Sequence, residues 1–193
     1  MISNGNATSN VSVALLHFPV YNKHHEVVTT AVTNLDIHDI ARSAKTYGLY
    51  RYYLVTPVAE QQHLAERIRK HWLEGWGAGY NARRKEALEL LQILDSLDAV
   101  LADLETSYGK PAKIITTGAQ GRPNSISFVS MRELLEDTDQ PFLLLFGTGW
   151  GMTEEVFSRA DYLLESVKGA GSYNHLSVRS AAAIILDRLL GER

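Results

Sequence analysis

An uninterrupted apolar run, FLLLF at residues 142–146, is followed by glycines at alternate positions, Gly147, Gly149 and Gly151. So short a run, without polar alternation, reads as a strand buried on both faces, as in a sheet covered by helices on either side. The glycines predict a loop whose backbone takes angles closed to other residues and leaves amides and carbonyls open to a flat ligand. Thr153, Glu154 and Glu155 predict the capped, acidic first turn of a helix. Residues 11–18 predict a first strand ended by Pro19, and residues 51–55 a second. Residues 113–117 predict another, which opens into Gly118-Ala119-Gln120-Gly121. Strands alternating with helical segments place the chain in the α/β class, with a mostly parallel sheet and helices on both faces.

The best-marked helix covers residues 36–47. Asp36 is read as its cap, Ile37, Ile40, Ala41, Ala44 and Tyr47 as its apolar stripe, and Gly48 as its C′ residue. Its polar face carries His38, Asp39, Arg42, Ser43 and Lys45, and Asp39 with Arg42 has the spacing of an ordinary surface pair. Thr56 as cap and Pro57 at the first position open a helix that turns Leu64, Ala65, Ile68 and Trp72 inward and Arg67, Arg69, Lys70 and His71 outward. EGWGAGY, residues 74–80, reads as a glycine and aromatic turn, after which Asn81 caps a helix bearing Arg83, Arg84 and Lys85. These basic clusters beside Trp72, Trp76 and Tyr80 have the chemistry to hold phosphates and stack a base. The interleaved Glu60, Glu66, Glu74, Glu86 and Glu89 favour a mixed solvated helix face instead. Residues 99–104 fit a strand or a helix end equally well. Ser130 and Glu133 have capping-box spacing for a short helix.

A second glycine loop, residues 168–174, leads through Tyr173, Asn174, His175, Leu176 and Ser177 into a helix over 176–190. Ser177, Ser180 and Asp187 share one face of it and most other positions are apolar, which predicts burial on two sides, by its own sheet and by a partner subunit.

A chain of 193 residues is expected to form one domain, over 11–193, behind a polar, flexible tail at 1–10. With no cysteine there is no disulfide framework and no thiol nucleophile. The chain shows neither a signal peptide nor a membrane span, so a cytoplasmic location is expected. A net charge of −3 gives no general affinity for nucleic acid, and RNA contact requires a local patch. His24 and His25 lack a third ligand nearby, and no metal site is expected. Phosphate-loop, HExxH and GxSxG motifs are absent. GTGWG also comes too late in the chain for a dinucleotide fingerprint.

FGTGWG with its following helix, and YNHLSVRSAAAIILDRL after it, resemble the two C-terminal motifs of the SPOUT superfamily, the knotted α/β RNA methyltransferases. The nearest resemblance is to a small bacterial family of single-domain, S-adenosylmethionine (SAM)-dependent RNA methyltransferases, and it extends over about residues 11–190. NLDIHDIARSAKTYGLYRYYLV resembles the N-terminal motif of the superfamily's ribose methyltransferase branch. Arg42 and Ser43 match its arginine and hydroxyl positions, whereas Asp36 stands where that branch carries an asparagine, with Asn34 displaced by two.

The resemblance implies a C-terminal deep trefoil knot, S-adenosyl-L-methionine as cofactor, an RNA substrate in tRNA or rRNA, and a homodimer whose active sites are completed across the interface. It assigns the cofactor to Thr117, Gly118, Phe146, Gly147, Gly149, Gly151, Asn174, Leu176, Ser177 and Val178. Arg42 is the first candidate on the acceptor side, and Asp36, His38, Asn174 and His175 are candidates for handling the proton. Two other readings are a non-catalytic RNA-binding or assembly factor that keeps the fold, and an enzyme of nucleotide metabolism with a different ligand.

Overall fold

The computed structural model describes residues 10–137, 139–171 and 173–192. In chain order the elements are β1 (Val11–Leu16), β2 (Val20–Tyr21), β3 (Val27–Val28), α1 (Asn34–Thr46), β4 (Tyr52–Val55), α2 (Ala59–Leu73), α3 (Trp76–Tyr80) and α4 (Ala82–Leu88). There follow β5 (Leu91–Leu94), α5 (Leu97–Tyr108), β6 (Lys113–Thr116), α6 (Phe128–Leu135), β7 (Phe142–Gly147), α7 (Glu154–Ser158), β8 (Tyr162–Leu163) and α8 (Val178–Leu190). Six strands form one parallel sheet in the order β5-β4-β1-β7-β6-β8, and β2 and β3 make a separate antiparallel pair.

The period of two along each strand divides the core between the faces. Val13, Leu15, Tyr52, Leu54, Leu144 and Phe146 pack with α1, α4, α6 and α8. Ala14, Leu16, Tyr53, Val55, Leu143 and Leu145 pack with α5 and α7. Both faces of β1 and β7 are covered, which is why the 142–146 run has no polar alternation. Each such Leu or Phe contributes about 1.5–3 kcal/mol by leaving water.

Several boundaries differ from the sequence reading. Thr33, not Asp36, caps α1: its hydroxyl accepts from the Asp36 amide at 3.1 Å and donates to Asp36 Oδ2 at 2.6 Å, so Asp36 sits in the first turn and holds the capping hydroxyl in place. Ser127 likewise caps α6 in place of Ser130. Helix α2 begins at Ala59 behind Val58, without Thr56 as cap or Pro57 inside, and Leu64 on it is exposed. The 74–80 turn contains helix α3, and residues 99–104 belong to α5. Strands β5 and β8 lie at the two edges of the sheet and were not anticipated. Gly48 at φ +69 and Asn81 as the cap of α4 are as expected. The tail read over residues 1–10 lies outside the described residues except for Asn10, which is buried with its side chain donating to the carbonyls of Asp137 and Gln140. No helix among the described residues is long and apolar enough to cross a membrane.

Candidate active site

Register brings the loops together. Leu16 ends β1 opposite Gly147, Thr116 ends β6 beside Leu145, and Leu163 ends β8 beside Thr116. All these strands are parallel, so their C-terminal loops leave on one edge. From β1 the chain builds outward through β4 and β5, then crosses to β7, β6 and β8 on the other side. A reversal of that kind opens a crevice beyond the strand ends, the usual ligand position in an open α/β sheet.

The loop after β7 is clamped on both sides. Thr148 donates its amide and its hydroxyl to the Leu16 carbonyl, at 3.2 and 3.0 Å. The Trp150 amide donates to the Tyr21 carbonyl at 2.8 Å, and the Tyr21 amide donates to the Gly151 carbonyl at 2.9 Å. Gly149 sits at φ +59, where a Cβ would lie 2.8 Å from the Tyr21 carbonyl oxygen. A Cβ on Gly147 would lie 2.6 Å from Met152 Cγ. At both positions the close approach of backbone excludes a side chain.

Two further loops are tied to this one. Thr117 donates its amide and hydroxyl to the Leu145 carbonyl. Arg122 forms a two-pronged pair with Glu154, at 2.9 and 2.5 Å, and stacks 3.6 Å from the centre of the Phe157 ring. The guanidinium lowers the Glu154 carboxyl below its ordinary pKa. After β8, the Leu164 amide donates to Thr116 and that of Glu165 to Ile126, while Glu165 Oε1 accepts from the Phe128 amide at 2.7 Å. Asn174 Nδ2 donates to the Ala119 carbonyl at 2.6 Å. Loops 117–126 and 147–154, with residues 164–171 and 173–177, therefore form one tethered rim, with Gly118, Ala119, Gly149, Trp150 and Gly169 exposed on it.

Beneath the rim His17 is fully buried, its Nδ1 3.1 Å from Thr30 Oγ1 and its Nε2 without a partner. Burial lowers its pKa to about 4, against smaller opposing effects from Asp36 and Thr30. Ser177 caps α8 through the Ser180 amide. Two residues later Arg179 reaches back to α1, 3.3 Å from Asp36 Oδ1 and 3.3 Å from Asp39 Oδ2. Alongside runs an open groove of about 570 Å³ lined by Asp39, Arg42, Ser43, Thr46, Tyr47, Arg179, Ser180 and Ala183.

A family model described as SAM-dependent RNA methyltransferase matches residues 10–191. The chain belongs to that family. The chain is 39% identical over 180 residues to an uncharacterized protein of Aquifex aeolicus (strain VF5), covering 93% of this chain and 88% of that one. It is 41% identical over 183 residues to a tRNA (guanine-N(1)-)-methyltransferase of Oleidesulfovibrio alaskensis, covering 95% of this chain but 42% of that relative's length. Among solved structures, the SpoU methyltransferase AviRb of Streptomyces viridochromogenes in complex with AdoMet superposes with a TM-score of 0.61 at 19% identity, over 94% of this chain and 57% of that one. A probable methyltransferase of Bordetella pertussis gives 0.61 at 18% identity, over 95% and 93%. The first likeness shows the fold of a SpoU methyltransferase, and the second shows the same architecture over nearly the whole of both chains.

The rim fits SAM in chemistry. A cofactor without phosphate needs open backbone groups and apolar walls more than a cationic cradle; Gly147 and Gly149 let the loop pack tightly against Met152 and Tyr21, and at Gly151 a Cβ would meet nothing within 4 Å. Thr153 Oγ1, beside the glycine loop, is buried without a partner and is available to a ligand polar group. Thr117, Gly118, Gly147, Gly149 and Gly151 all lie on the first two loops of the rim, and Asn174 is tied to it. Phe146 is a buried wall, 2% exposed, while Leu176, Ser177 and Val178 form the approach to α8.

The proton-handling candidates are dispersed. His175 is exposed near the rim with its ring 5.3 Å from that of Tyr173. His38 lies on the side of α1 toward α2 and α4, its ring edge-on to Trp72 at 5.6 Å, its pKa lowered by burial and then by Arg84. Asp36 is buried against Thr33 and Arg179. Arg42 stands exposed on the groove, whose lining includes no residue of the glycine loops. Sequence reasoning did not single out Arg179, Arg122 or the His17–Thr30 pair. Their partners lie 143, 32 and 13 residues away, where no local spacing rule reaches.

Proposed function

We propose that the protein transfers a methyl group from SAM to a nucleotide of tRNA or rRNA, in the cytoplasm, as a knotted homodimer. The observation that carries this reading is the tethered rim of three loops at the switch point, in a chain matched along nearly its whole length by the family model. Bound SAM supplies a methyl group on a sulfonium, already activated for direct transfer. Backbone groups of residues 117–118, 147–151 and 174–178 would hold its adenine and ribose, with Phe146 buried beneath the loop and the exposed Leu176 placed to exclude water.

The chain must then position the acceptor in line and accept one proton. Arg42 has the free guanidinium suited to holding an acceptor phosphate or lowering the acceptor's pKa. Asp36 acts indirectly: paired with Arg179, it fixes the edge of the groove along which Arg42 stands. His175 and Asn174, at the rim, remain the candidates nearest the cofactor loops, while His38 faces the α2–α4 side. Arg42 lines a groove that includes no residue of the glycine loops, which supports a homodimer in which a second copy brings its Arg42 to the rim. The knot would thread the segment leading into α8.

The name of the Oleidesulfovibrio relative does not extend guanine-N1 chemistry to this chain. The match leaves more than half of that protein uncovered, enough for a separate catalytic domain.

The test is incubation with methyl-labelled SAM and total RNA, followed by nucleoside separation. Label in one RNA nucleoside is the expected result. Cofactor and RNA binding with no label in any RNA would favour the non-catalytic RNA-binding factor.

A further inference from the structure

The five residues of α3, packed against α2 and α4, carry Trp76 and Tyr80, stacked with ring centres 4.6 Å apart and planes 21° from parallel. The rings are 72% and 70% exposed, so a large apolar area meets solvent on a helix too short to stand alone. It is nevertheless held firmly. Gly77 lies so close to Trp72 that a Cβ there would approach its ring to 2.7 Å, and the Arg84 guanidinium covers the same indole at 4.5 Å.

Charge sets this segment apart from the rest of the molecule. Over residues 67–85 six arginines and lysines stand against one acid, Glu74, a net +5 in a chain whose total is −3. The glutamates that suggested a neutral mixed face, Glu60, Glu66, Glu86 and Glu89, flank the aromatic pair in sequence. Glu66 is taken up by Arg69. Arg67, Lys70 and Arg83 are exposed and make no ion pair among the described residues.

We propose that α3, with the end of α2 and the start of α4, is a docking surface for a single-stranded segment of the RNA substrate. An unpaired base stacks on the Trp76–Tyr80 pair while Arg67, Lys70 and Arg83 meet the flanking phosphates. Parallel rings offer a π-face to any base, and exposed cations on the two adjoining helices supply the sequence-independent attraction that an acidic protein otherwise lacks. The patch rests on the reading of the protein as an RNA methyltransferase, and it explains how a chain of net charge −3 retains RNA.

The experiment measures fluorescence anisotropy of a short labelled single-stranded RNA and of a blunt RNA duplex, titrated with the full chain over a range of salt. Trp76→Ala weakens single-strand binding by about 5- to 150-fold, the range of one lost base stack, and barely changes duplex binding. Trp76→Phe restores most of the loss. Replacing Arg67, Lys70 and Arg83 together by Gln flattens the salt dependence of the affinity by about 2 log units per log unit of salt. Equal single-strand affinities for wild type and Trp76→Ala, with circular dichroism showing both folded, overturn the proposal, as does absence of binding by the wild type. Calorimetric binding of SAM, measured on the same samples, is unchanged by these substitutions. Its absence from the wild type counts against the methyltransferase reading separately from the RNA result.

Discussion

Arg179 Nη1 lies 3.3 Å from Asp36 Oδ1, pinning the first turn of α8 to the first turn of α1 across 143 residues of chain. Asp36 is 5% exposed and Arg179 partly open to water, so the pair is asymmetric. Removing the arginine leaves a buried carboxylate without its counter-charge, whereas neutralising the acid leaves only a solvated cation. Arg179→Ala should therefore cost about 1–3 kcal/mol in urea unfolding, and Asp36→Asn less. The opposite order would show that the pair does not hold the helices together.

His17 gives the fold a defined pH dependence. In the folded chain its pKa is about 4, against 6.5 for an unperturbed imidazole, because burial disfavours the charged ring. The unfolded chain therefore binds the proton first as pH falls. The stability contributed by neutral His17 is complete above about pH 6.5 and is lost as pH drops toward 4, about 3 kcal/mol in all. Urea unfolding at a series of pH values should show this slope in the wild type and a shallower one in His17→Asn. Identical slopes would contradict the account.

The parts legible in the sequence were those with strong periodicity or unbroken apolar character. Strands β1, β6 and β7 and helices α1 and α8 could be read because Val13, Leu15, Ile115, Leu144 and Leu186 fill one continuous core. The cap of α1 was displaced because Thr33 and Asp36 are bonded to each other at the helix start, and either residue type is a good cap. Strand β5 escaped notice because LQIL lies among leucines that serve a strand and two helices alike, and β8 because it is two residues long at a sheet edge. Trp76 and Tyr80, spaced by four, form a helical pair, but the glycines between them suggested a turn. The glycine loops themselves were legible. Their mutual tethers, Asn174 to Ala119 and Arg122 to Glu154, join distant segments and follow only from the folded chain.

Gly149 tests the clamped loop. Alanine there would have to hold φ near +59 with its Cβ 2.8 Å from the Tyr21 carbonyl oxygen. The resulting strain of about 1–3 kcal/mol shifts the backbone of the 147–151 loop. Calorimetry should show at least about tenfold weaker SAM binding for Gly149→Ala. Unchanged affinity would remove this loop from the cofactor site.

Arg42 tests the acceptor assignment. Because the side chain is exposed on the groove, Arg42→Ala should alter stability by no more than about 0.5 kcal/mol. Cofactor affinity should also hold, while methyl transfer falls by at least about 100-fold. Wild-type turnover in this variant would sink the assignment.

Calorimetric titration of the purified protein with SAM is the most direct test of the central claim, that the rim formed by residues 117–126, 147–154, 164–171 and 173–177 is a methyl-donor site. The account predicts saturable binding of one cofactor per chain. No heat of binding at millimolar SAM from a folded protein would contradict it and leave the family likeness one of fold alone.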